Sequence, residues 1–571
     1  MNRTVEAGGD GLPEMEAAVA AMTPRLHGLV SRTDPGQVAA EVLRLNDAVR
    51  EGVRDRLTPG LHPQDYPGSM MRMRDAMAAG PVADAAPEPA SASASGSAST
   101  PASVSASASP SASPGLGQGH ASLAHVSALI RRGETSAEAL TRQALARAAE
   151  VQPVLNPFIA IWAERALEQA RERDRELARG RWRGPLHGIP LAHKDCYTRA
   201  GLPMTVGSKV LPDTPGEADA AVLQRLDAAG AVDLGPLNLN EMVSGPTGQN
   251  PHWGDCCNAH DPTRVAGGSS SGSAVAVAAG AVYGSLGSDT GGSIRTPASM
   301  NGVYGLKTTY GLVSRRGCFP RAWSLDCIGP LARSALDCGL ILQAVAGHDA
   351  GDPTSVDAPV PDYASAIAAG APGSRVALLD GLEPYDDAIA GALEAFMKRA
   401  ASVFGAAVRA RFHDLPACYA MGDVIAKVEG ATIHAEWMRR TPERYSQAVY
   451  SRTEAGLHIP AVRYAEALLA RSKLVEAWLS GPMAQADVLV CPTIPIQVPT
   501  RAEADMEGKG RVFGVVAAIT RLTRAFNYLG LPVLSVPIGT DGNGMPIGAQ
   551  LIGRPLSEAR LLAVAHALAQ P

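Results

Sequence analysis

The apolar positions near the start of the chain follow the period of a helix. They are Val38, Val42, Leu45 and Val49, which share one helical face. Asp34 followed by Pro35 is a typical helix start, because aspartate caps the first N–H groups and proline fits the first turn. One such stripe is too small to form a core by itself. We therefore predict a small helical module over residues 1–79 that packs against another part of the molecule.

The helical pattern disappears over residues 80–118, which consist mainly of alanine, serine and proline. No charged side chain follows Glu88 in this stretch, and its only larger apolar residues after that point are Val104 and Leu116. Such a composition cannot bury enough apolar surface to offset the entropy lost on ordering. The stretch is predicted to be a disordered, flexible linker.

Helical patterns resume after residue 119. One apolar helical face ends at Gly133, and Thr135 with Glu138 predicts a capping box at the start of the next helix. A third helix, rich in charged residues, is predicted from Ala163 to Arg179.

Further along, short apolar runs alternate with helical patterns. The predicted strands are Val232–Leu239, Val376–Leu379, Val488–Cys491 and Val533–Pro537. A turn at Asp541–Gly544 predicts that the last of these pairs with the apolar run that follows it. This alternation is typical of an α/β fold with a mixed sheet, and it predicts one domain over residues 119–571.

Charge and composition mainly exclude classes of protein. The 571 residues carry a net charge of −5 without a basic cluster, so we expect no direct nucleic-acid partner. The longest apolar stretch, Ala274–Leu286, is shorter than the ~18 residues that a membrane helix needs. The eight cysteines form no CxxC pair, and no apolar signal segment begins the chain. The sequence thus predicts a cytoplasmic protein without a membrane partner, and a homodimer is left open.

Three segments contain the residue types that catalysis needs. They are HGIPLAHKD at His187–Asp195, GGSSSGS at Gly267–Ser273, and GSDTGGSIR at Gly287–Arg295. The second segment lies between patterned elements and begins a helical run, unlike the alanine- and serine-rich linker. Glycines at such a junction let the backbone turn and present consecutive N–H groups. It lacks the GK[ST] ending of a phosphate-binding loop.

The second segment also contains the G-x-S-x-G pattern of a nucleophile elbow, with Ser270 as the nucleophile. An elbow needs a strand before it, and residues 261–266 are a poor strand because they contain a proline and charges. In this alternative, His348 or His413 would complete a Ser…Asp…His order.

In the third segment, the backbone N–H groups of Thr290, Gly291, Gly292 and Ser293 could converge on one developing negative charge. Ser293 would then be a nucleophile beside an oxyanion hole, and it would need a base. Lys194 can be that base only when it is uncharged, which requires a strongly lowered pKa. The apolar residues before it favour the necessary burial.

Together these motifs resemble those of the amidase signature family. The likeness covers about residues 120–571 and includes the C-terminal segment FNYLGLPVLSVPIGTDGNGMPIGAQLIGRP. It implies a mixed, twisted β-sheet surrounded by helices and a Ser–cisSer–Lys triad. By motif position, Lys194 is the general base, Ser269 the bridging cis-serine and Ser293 the nucleophile.

The resemblance also implies that the backbone around Thr290, Gly291 and Gly292 forms the oxyanion hole, and that Asp289 and Arg295 support this loop. It implies no cofactor and no metal. His193 departs from the aliphatic residue often found beside the lysine, and ordinary packing is the favoured interpretation of it.

The leading functional prediction is a stand-alone amidase that hydrolyses the C–N bond of a small-molecule amide through an acyl-enzyme. One alternative is the A subunit of a tRNA-dependent amidotransferase, and another is a carbamate or urea-type hydrolase. A catalytically silent binding protein is disfavoured because all three triad positions are intact. The N-terminal module is interpreted as a fused accessory, similar to the small separate subunits of some family members.

Overall fold

The computed structural model describes residues 11–29, 31–54, 56–57, 66, 121–211, 213–505 and 512–570. The predicted linker, residues 80–118, lies outside the described residues, as do parts of the predicted N-terminal module.

The described residues form one ten-stranded sheet with the order β2-β1-β3-β5-β4-β9-β10-β8-β6-β7. The strands are β1 Pro190–Lys194, β2 Val232–Leu237, β3 Gly284–Asp289, β4 Tyr304–Lys307, β5 Cys327–Ala332, β6 Val376–Asp380, β7 Val408–Arg411, β8 Val488–Pro492, β9 Val533–Thr540 and β10 Pro546–Ile552. β1 is parallel to both β2 and β3, and β6 is parallel to β7 and β8. The pairs between β3 and β8 are antiparallel, so the sheet is mixed.

Helices surround this sheet. They are α1 Leu12–Arg25, α2 Pro35–Gly52, α3 Leu123–Arg132, α4 Ala137–Leu155, α5 Ala163–Ala178, α6 Ala221–Ala228, α7 Ser271–Ala278, α8 Arg295–Asn301, α9 Ala335–Val345, α10 Tyr363–Ala368, α11 Asp387–Phe404, α12 Leu415–Arg440, α13 Gln447–Glu454, α14 Ala461–Ser480, α15 Pro482–Gln485, α16 Val512–Thr520, α17 Arg524–Tyr528 and α18 Glu558–Ala569. In the described part of the chain, no helix is both long and apolar enough to cross a membrane.

The α/β class and all four predicted strands are confirmed, and so is the pairing of β9 with β10 across the predicted turn. The pattern missed β3, which reads GSLGSD and contains no β-branched residue. Its serines are nevertheless buried and have partners: Ser285 Oγ donates to the Ser273 carbonyl at 2.9 Å, and Ser288 Oγ lies 3.0 Å from Lys194 Nζ.

The predicted capping box is wrong by one residue. The cap of α4 is Ser136, whose side chain accepts the Ala139 N–H at 3.0 Å. Glu138 instead pairs with Arg142 and Arg171.

The N-terminal helices pack against the main body of the molecule. Asp34 caps α2 as predicted, accepting the Gln37 N–H at 3.0 Å. The predicted apolar stripe is buried in a core shared with Met421 of α12 and Leu474 of α14. Helix α2 thus covers apolar surface of the larger body rather than forming a core of its own.

The order of the central strands brings the candidate catalytic segments together. β1 and β3 are parallel neighbours, so their carboxyl ends lie at the same edge of the sheet. Lys194 ends β1 and Asp289 ends β3. Helix α7 begins at Ser271, directly after the glycine- and serine-rich segment.

Truncation of Leu45 tests the docking of α2. Because Leu45 is fully buried against the main body, we expect Leu45→Ala to lower the free energy of unfolding by roughly 2–5 kcal/mol. Chemical denaturation of the full chain measures this. The control is Arg50→Ala, which changes an exposed position of the same helix. An unchanged midpoint for Leu45→Ala would show that α2 does not stabilise the main body.

Candidate active site

Lys194 is fully buried, and its side-chain nitrogen is surrounded by three hydroxyls. The distances from Lys194 Nζ are 2.7 Å to Ser269 Oγ, 3.0 Å to Ser288 Oγ and 3.1 Å to Ser270 Oγ. Burial lowers the pKa of Lys194 below its ordinary value, because the charged form loses its hydration. No carboxylate forms an ion pair with it among the described residues. The site therefore favours the uncharged amine.

The glycine-rich segment places Ser269 through close backbone contacts. The peptide bond between Gly268 and Ser269 is cis. A Cβ on Gly268 would lie 2.0 Å from Asn240 Oδ1, so only glycine fits there. Asn240 in turn accepts the Gly248 N–H at 2.9 Å. Asn240 and the glycine-rich segment are thus closely packed next to Ser269.

The structure does not support the nucleophile-elbow alternative. Ser270 Oγ donates to the Ser288 carbonyl at 3.1 Å, so its proton is already committed. No strand precedes Ser270 in the described segment 261–266, which contains only isolated bridges. His348 and His413 are exposed, whereas Ser270 is completely buried. These histidines therefore do not form a triad with Ser270.

Ser293 lies in the loop between β3 and α8 and is half-buried. Its carbonyl accepts the Ser270 N–H at 3.1 Å, which joins this loop to the segment that carries Ser269. Its hydroxyl forms no hydrogen bond with the residues that the structure describes. The structure thus brings Lys194 and Ser269 into contact and holds Ser293 in the adjoining loop with a free hydroxyl.

Asp289 and Arg295 form a completely buried ion pair at the base of this loop. Arg295 Nη2 lies 3.0 Å from Asp289 Oδ1, and Arg295 Nε lies 3.0 Å from Asp289 Oδ2. Burial alone would raise the pKa of Asp289, but Arg295 holds it well below its usual range. Asp289 also accepts the N–H groups of Gly292 at 2.8 Å and Ile294 at 3.1 Å. The pair therefore holds the backbone of this loop at Gly292 and Ile294.

The predicted oxyanion donors are not equivalent. Because the Gly292 N–H donates to Asp289, it is not free to bind a ligand. Gly292 has φ +129°, and a Cβ there would lie 2.4 Å from Thr523 Oγ1, so glycine is needed for shape. The Gly291 carbonyl is held by Thr523 Oγ1 at 2.6 Å, and Thr290 Oγ1 donates to Asp326 at 2.5 Å. The N–H groups of Thr290, Gly291 and Ser293 remain the candidate donors, because only that of Gly292 is committed to Asp289.

Sequence patterns missed several residues that complete the site. Ser288 contacts Lys194, but it lies in a strand that the pattern did not reveal. Asn527 and Gln550 bind the Asp289–Arg295 pair from the C-terminal part of the chain, at 2.6 and 2.7 Å from Arg295. His193 bonds Asp233 at 3.0 Å and lies on the opposite side of β1 from Lys194, consistent with ordinary packing.

The mixed sheet and the buried lysine–serine cluster are those of an enzyme of the amidohydrolase type. The chain belongs to the amidase family: the family described as Amidase matches residues 139–562. This confirms the resemblance to the amidase signature family.

Individual relatives support the same family. The A subunit of the glutamyl-tRNA(Gln) amidotransferase from Thermosynechococcus vestitus is 38% identical over 467 residues, covering 77% of this chain and 95% of the relative. A solved structure described as a vestigial protein complex that reveals the evolutionary origins of an s-triazine catabolic enzyme is 34% identical, with TM-score 0.72, covering 78% of this chain and 98% of that one. The peptide amidase of Stenotrophomonas maltophilia is 31% identical, with TM-score 0.65, covering 78% and 96%.

The names of these relatives contradict the prediction about partners. The absence of a basic cluster led us to expect no direct nucleic-acid partner, yet relatives that match nearly along their full length are named for a tRNA. The prediction was wrong because the net charge of one chain does not show which partners its relatives act with. One component of an assembly can take part in a reaction on tRNA without a basic cluster of its own.

Neutralising Asp289 tests the role of the buried pair. Asp289→Asn would leave Arg295 buried without its counter-charge, so we expect roughly 3–5 kcal/mol of lost stability. Denaturant unfolding measures it. Asp380→Asn is the matched control, because Asp380 forms surface pairs with Arg409 and Arg411 and should leave the midpoint nearly unchanged. Equal effects from the two substitutions would contradict this role.

Proposed function

We propose that this chain hydrolyses an amide C–N bond through an acyl-enzyme on Ser293, with Ser269 and Lys194 relaying the proton. The observation that carries the proposal is the 2.7 Å contact between Lys194 Nζ and Ser269 Oγ in a fully buried site. The contact gives an uncharged lysine direct access to a serine hydroxyl. The backbone hydrogen bond from Ser270 to Ser293 supports the next step of the relay, because it holds the two serine segments together.

The hydrogen bonds around Lys194 support an uncharged amine with one lone pair. An uncharged amine has two N–H donors and one acceptor site, whereas ammonium has three donors. Ser270 uses its own proton on the Ser288 carbonyl, so it accepts from Lys194. If Ser288 accepts the second N–H, the lone pair is left for the Ser269 hydroxyl. Lys194 then draws the Ser269 proton, and Ser269 draws that of Ser293.

The reaction follows from this arrangement. Ser293 Oγ attacks the amide carbonyl as its proton passes through Ser269 to Lys194. The N–H groups of Thr290, Gly291 and Ser293 are the donors available to stabilise the oxyanion, and the proton returns through the relay to the leaving nitrogen as the C–N bond breaks. Water then attacks the ester by the same relay, releasing the acid and restoring Ser293. The protein's own side chains supply every proton transfer.

Two kinds of enzyme could use this reaction, and the A subunit of a tRNA-dependent amidotransferase is the better supported candidate. Its support is the 38% identity to relatives of that name, over 95–96% of their length. A stand-alone amidase is the second candidate, supported by the likeness to a solved peptide amidase.

We further propose that the chain is divided into a helical module at 1–79, a linker at 80–118 and a catalytic domain at 119–571, with the module as a fused accessory.

The pH dependence of the reaction tests Lys194 as the base. Only the uncharged amine accepts a proton, and burial lowers its pKa, so kcat/KM should fall as the pH falls through that lowered value. Lys194→Met should abolish turnover at every pH. The control is Lys307→Met, because Lys307 is equally buried but contacts Thr308 and Cys327 instead. A folded Lys194→Met enzyme that keeps the wild-type profile would refute the assignment.

Analysis of the reaction products distinguishes a component of an amidotransferase from a stand-alone amidase. The full chain, isolated gently from its native cells, is supplied with glutamyl-tRNA(Gln) and an amide donor. Amidation of the tRNA-bound glutamate, lost in Ser293→Ala, is the result expected for a component of an amidotransferase. Ammonia release from free amides without any tRNA amidation would instead identify a stand-alone amidase.

A further inference from the structure

Two cysteines that the proposed chemistry does not use lie close to the buried lysine. Cys196 follows Lys194, the last residue of β1, by two positions, and Cys318 lies in the segment between β4 and β5. Their sulfur atoms are 4.0 Å apart, and both thiols are free. A disulfide holds its sulfurs at about 2.05 Å, so bond formation requires an approach of about 2 Å, which side-chain rotation can supply. The two thiols are therefore placed to form one covalent bond.

Backbone hydrogen bonds hold the two cysteine segments side by side. The Phe319 N–H donates to the Cys196 carbonyl at 2.7 Å. The Thr198 N–H donates to the Gly317 carbonyl at 2.8 Å. Because these bonds lie on both sides of Cys318, the main chain itself keeps the two sulfurs close.

Cys196 is also connected to the proposed base through one hydroxyl. Cys196 Sγ lies 3.9 Å from Ser288 Oγ, and Ser288 Oγ lies 3.0 Å from Lys194 Nζ. In the proposed relay, Ser288 accepts one N–H of the uncharged amine. A change at the Cys196 sulfur therefore reaches the base through a single intervening side chain.

The two thiols differ in exposure. Cys196 is fully buried, whereas Cys318 is half-buried. Arg316, two residues before Cys318, is exposed, so this segment reaches the surface. A small oxidant can therefore meet Cys318 from solvent, and Cys196 is the neighbouring thiol that can react with the oxidised sulfur.

We propose that Cys196 and Cys318 form a modification site for peroxide, and that the resulting disulfide slows the reaction at Ser293. Hydrogen peroxide transfers one oxygen atom to the Cys318 sulfur as its O–O bond breaks, which gives a sulfenic acid and water. The Cys196 sulfur then attacks the Cys318 sulfur, so the S–S bond forms and the S–O bond breaks. The hydroxide leaves with the Cys196 proton as a second water. The two thiols lose two electrons, and these reduce one peroxide to two waters.

The disulfide would change the surroundings of Lys194. Once joined to Cys318, the Cys196 sulfur no longer carries a proton to donate to Ser288 Oγ. Ser288 is then freer to rotate away from the position in which it accepts from Lys194, and the lone pair of the amine is less well directed at Ser269. This inference rests on the proposed role of Lys194 in activating Ser293. Oxidation should therefore slow that activation, and a reducing thiol should restore it.

Treatment of the folded full chain with hydrogen peroxide, followed by removal of the peroxide, tests the proposal. Peptide mapping without reductant should find the peptides of Cys196 and Cys318 joined, and dithiothreitol should separate them. The rate at which a fluorophosphonate labels Ser293 should fall by about tenfold or more on oxidation, because a well-placed general base contributes at least that much. The rate should recover with dithiothreitol. This readout needs no identified substrate.

Cys318→Ser cannot form the cross-link, so it should keep the labelling rate of the reduced wild type after the same treatment. The matched control is Cys257→Ser, because Cys257 is also buried but its sulfur contacts the Asp255 carbonyl. It should respond to peroxide as the wild type does. If Cys318→Ser does not fold, the peptide map and labelling rate of the wild type still decide.

Two results would overturn the proposal: peptides that stay separate in peroxide-treated folded protein, or a cross-link that leaves the labelling rate unchanged. A cross-linked protein whose Ser293 is not labelled even after reduction would instead contradict the proposed function. The modification site itself would still stand in that case, because the peptide map does not depend on the reactivity of Ser293.

Discussion

The buried ion pair between Asp289 and Arg295 is the constraint on which the site depends. Two opposite charges removed from water are stable only when nearly every donor and acceptor is matched, and here each side chain makes several further hydrogen bonds. Those bonds tie the end of β3 to Asn527 and Gln550 in the C-terminal part of the chain. The loop of Ser293 is therefore shaped by residues from both halves of the sheet.

Lys194 is buried in the same interior, but there burial favours the uncharged form of the side chain, whereas Asp289 and Arg295 keep each other charged. Among the residues that the structure describes, it has no carboxylate partner of the kind that Arg295 has, only hydroxyls, so burial favours its uncharged form. One charged pair holds the loop in place, and the lysine without a paired charge is the base that we propose. The proposed chemistry needs both, because a fixed loop without a base would hold Ser293 in place but leave it unreactive.

The sequence was sufficient for the parts that depend on local pattern. It predicted the α/β class, the strands with continuous apolar runs, the cap at Asp34, and the segments that meet at Lys194. It missed β3, because the strand GSLGSD lacks the β-branched and apolar residues by which a strand is recognised. It also missed Ser288, Asn527 and Gln550, whose roles arise from the sheet order rather than from any spacing along the chain. The prediction of no direct nucleic-acid partner was wrong for a similar reason, because the net charge of one chain does not reveal the partners of an assembly.

The most direct test of the account is to find which serine reacts. The folded full chain is treated with a fluorophosphonate, which modifies activated serine hydroxyls, and the adduct is located by peptide mapping. The account predicts one adduct, on Ser293, which disappears in Ser293→Ala. An adduct on Ser270 would contradict it, because that serine's proton is committed to the Ser288 carbonyl in the structure described above.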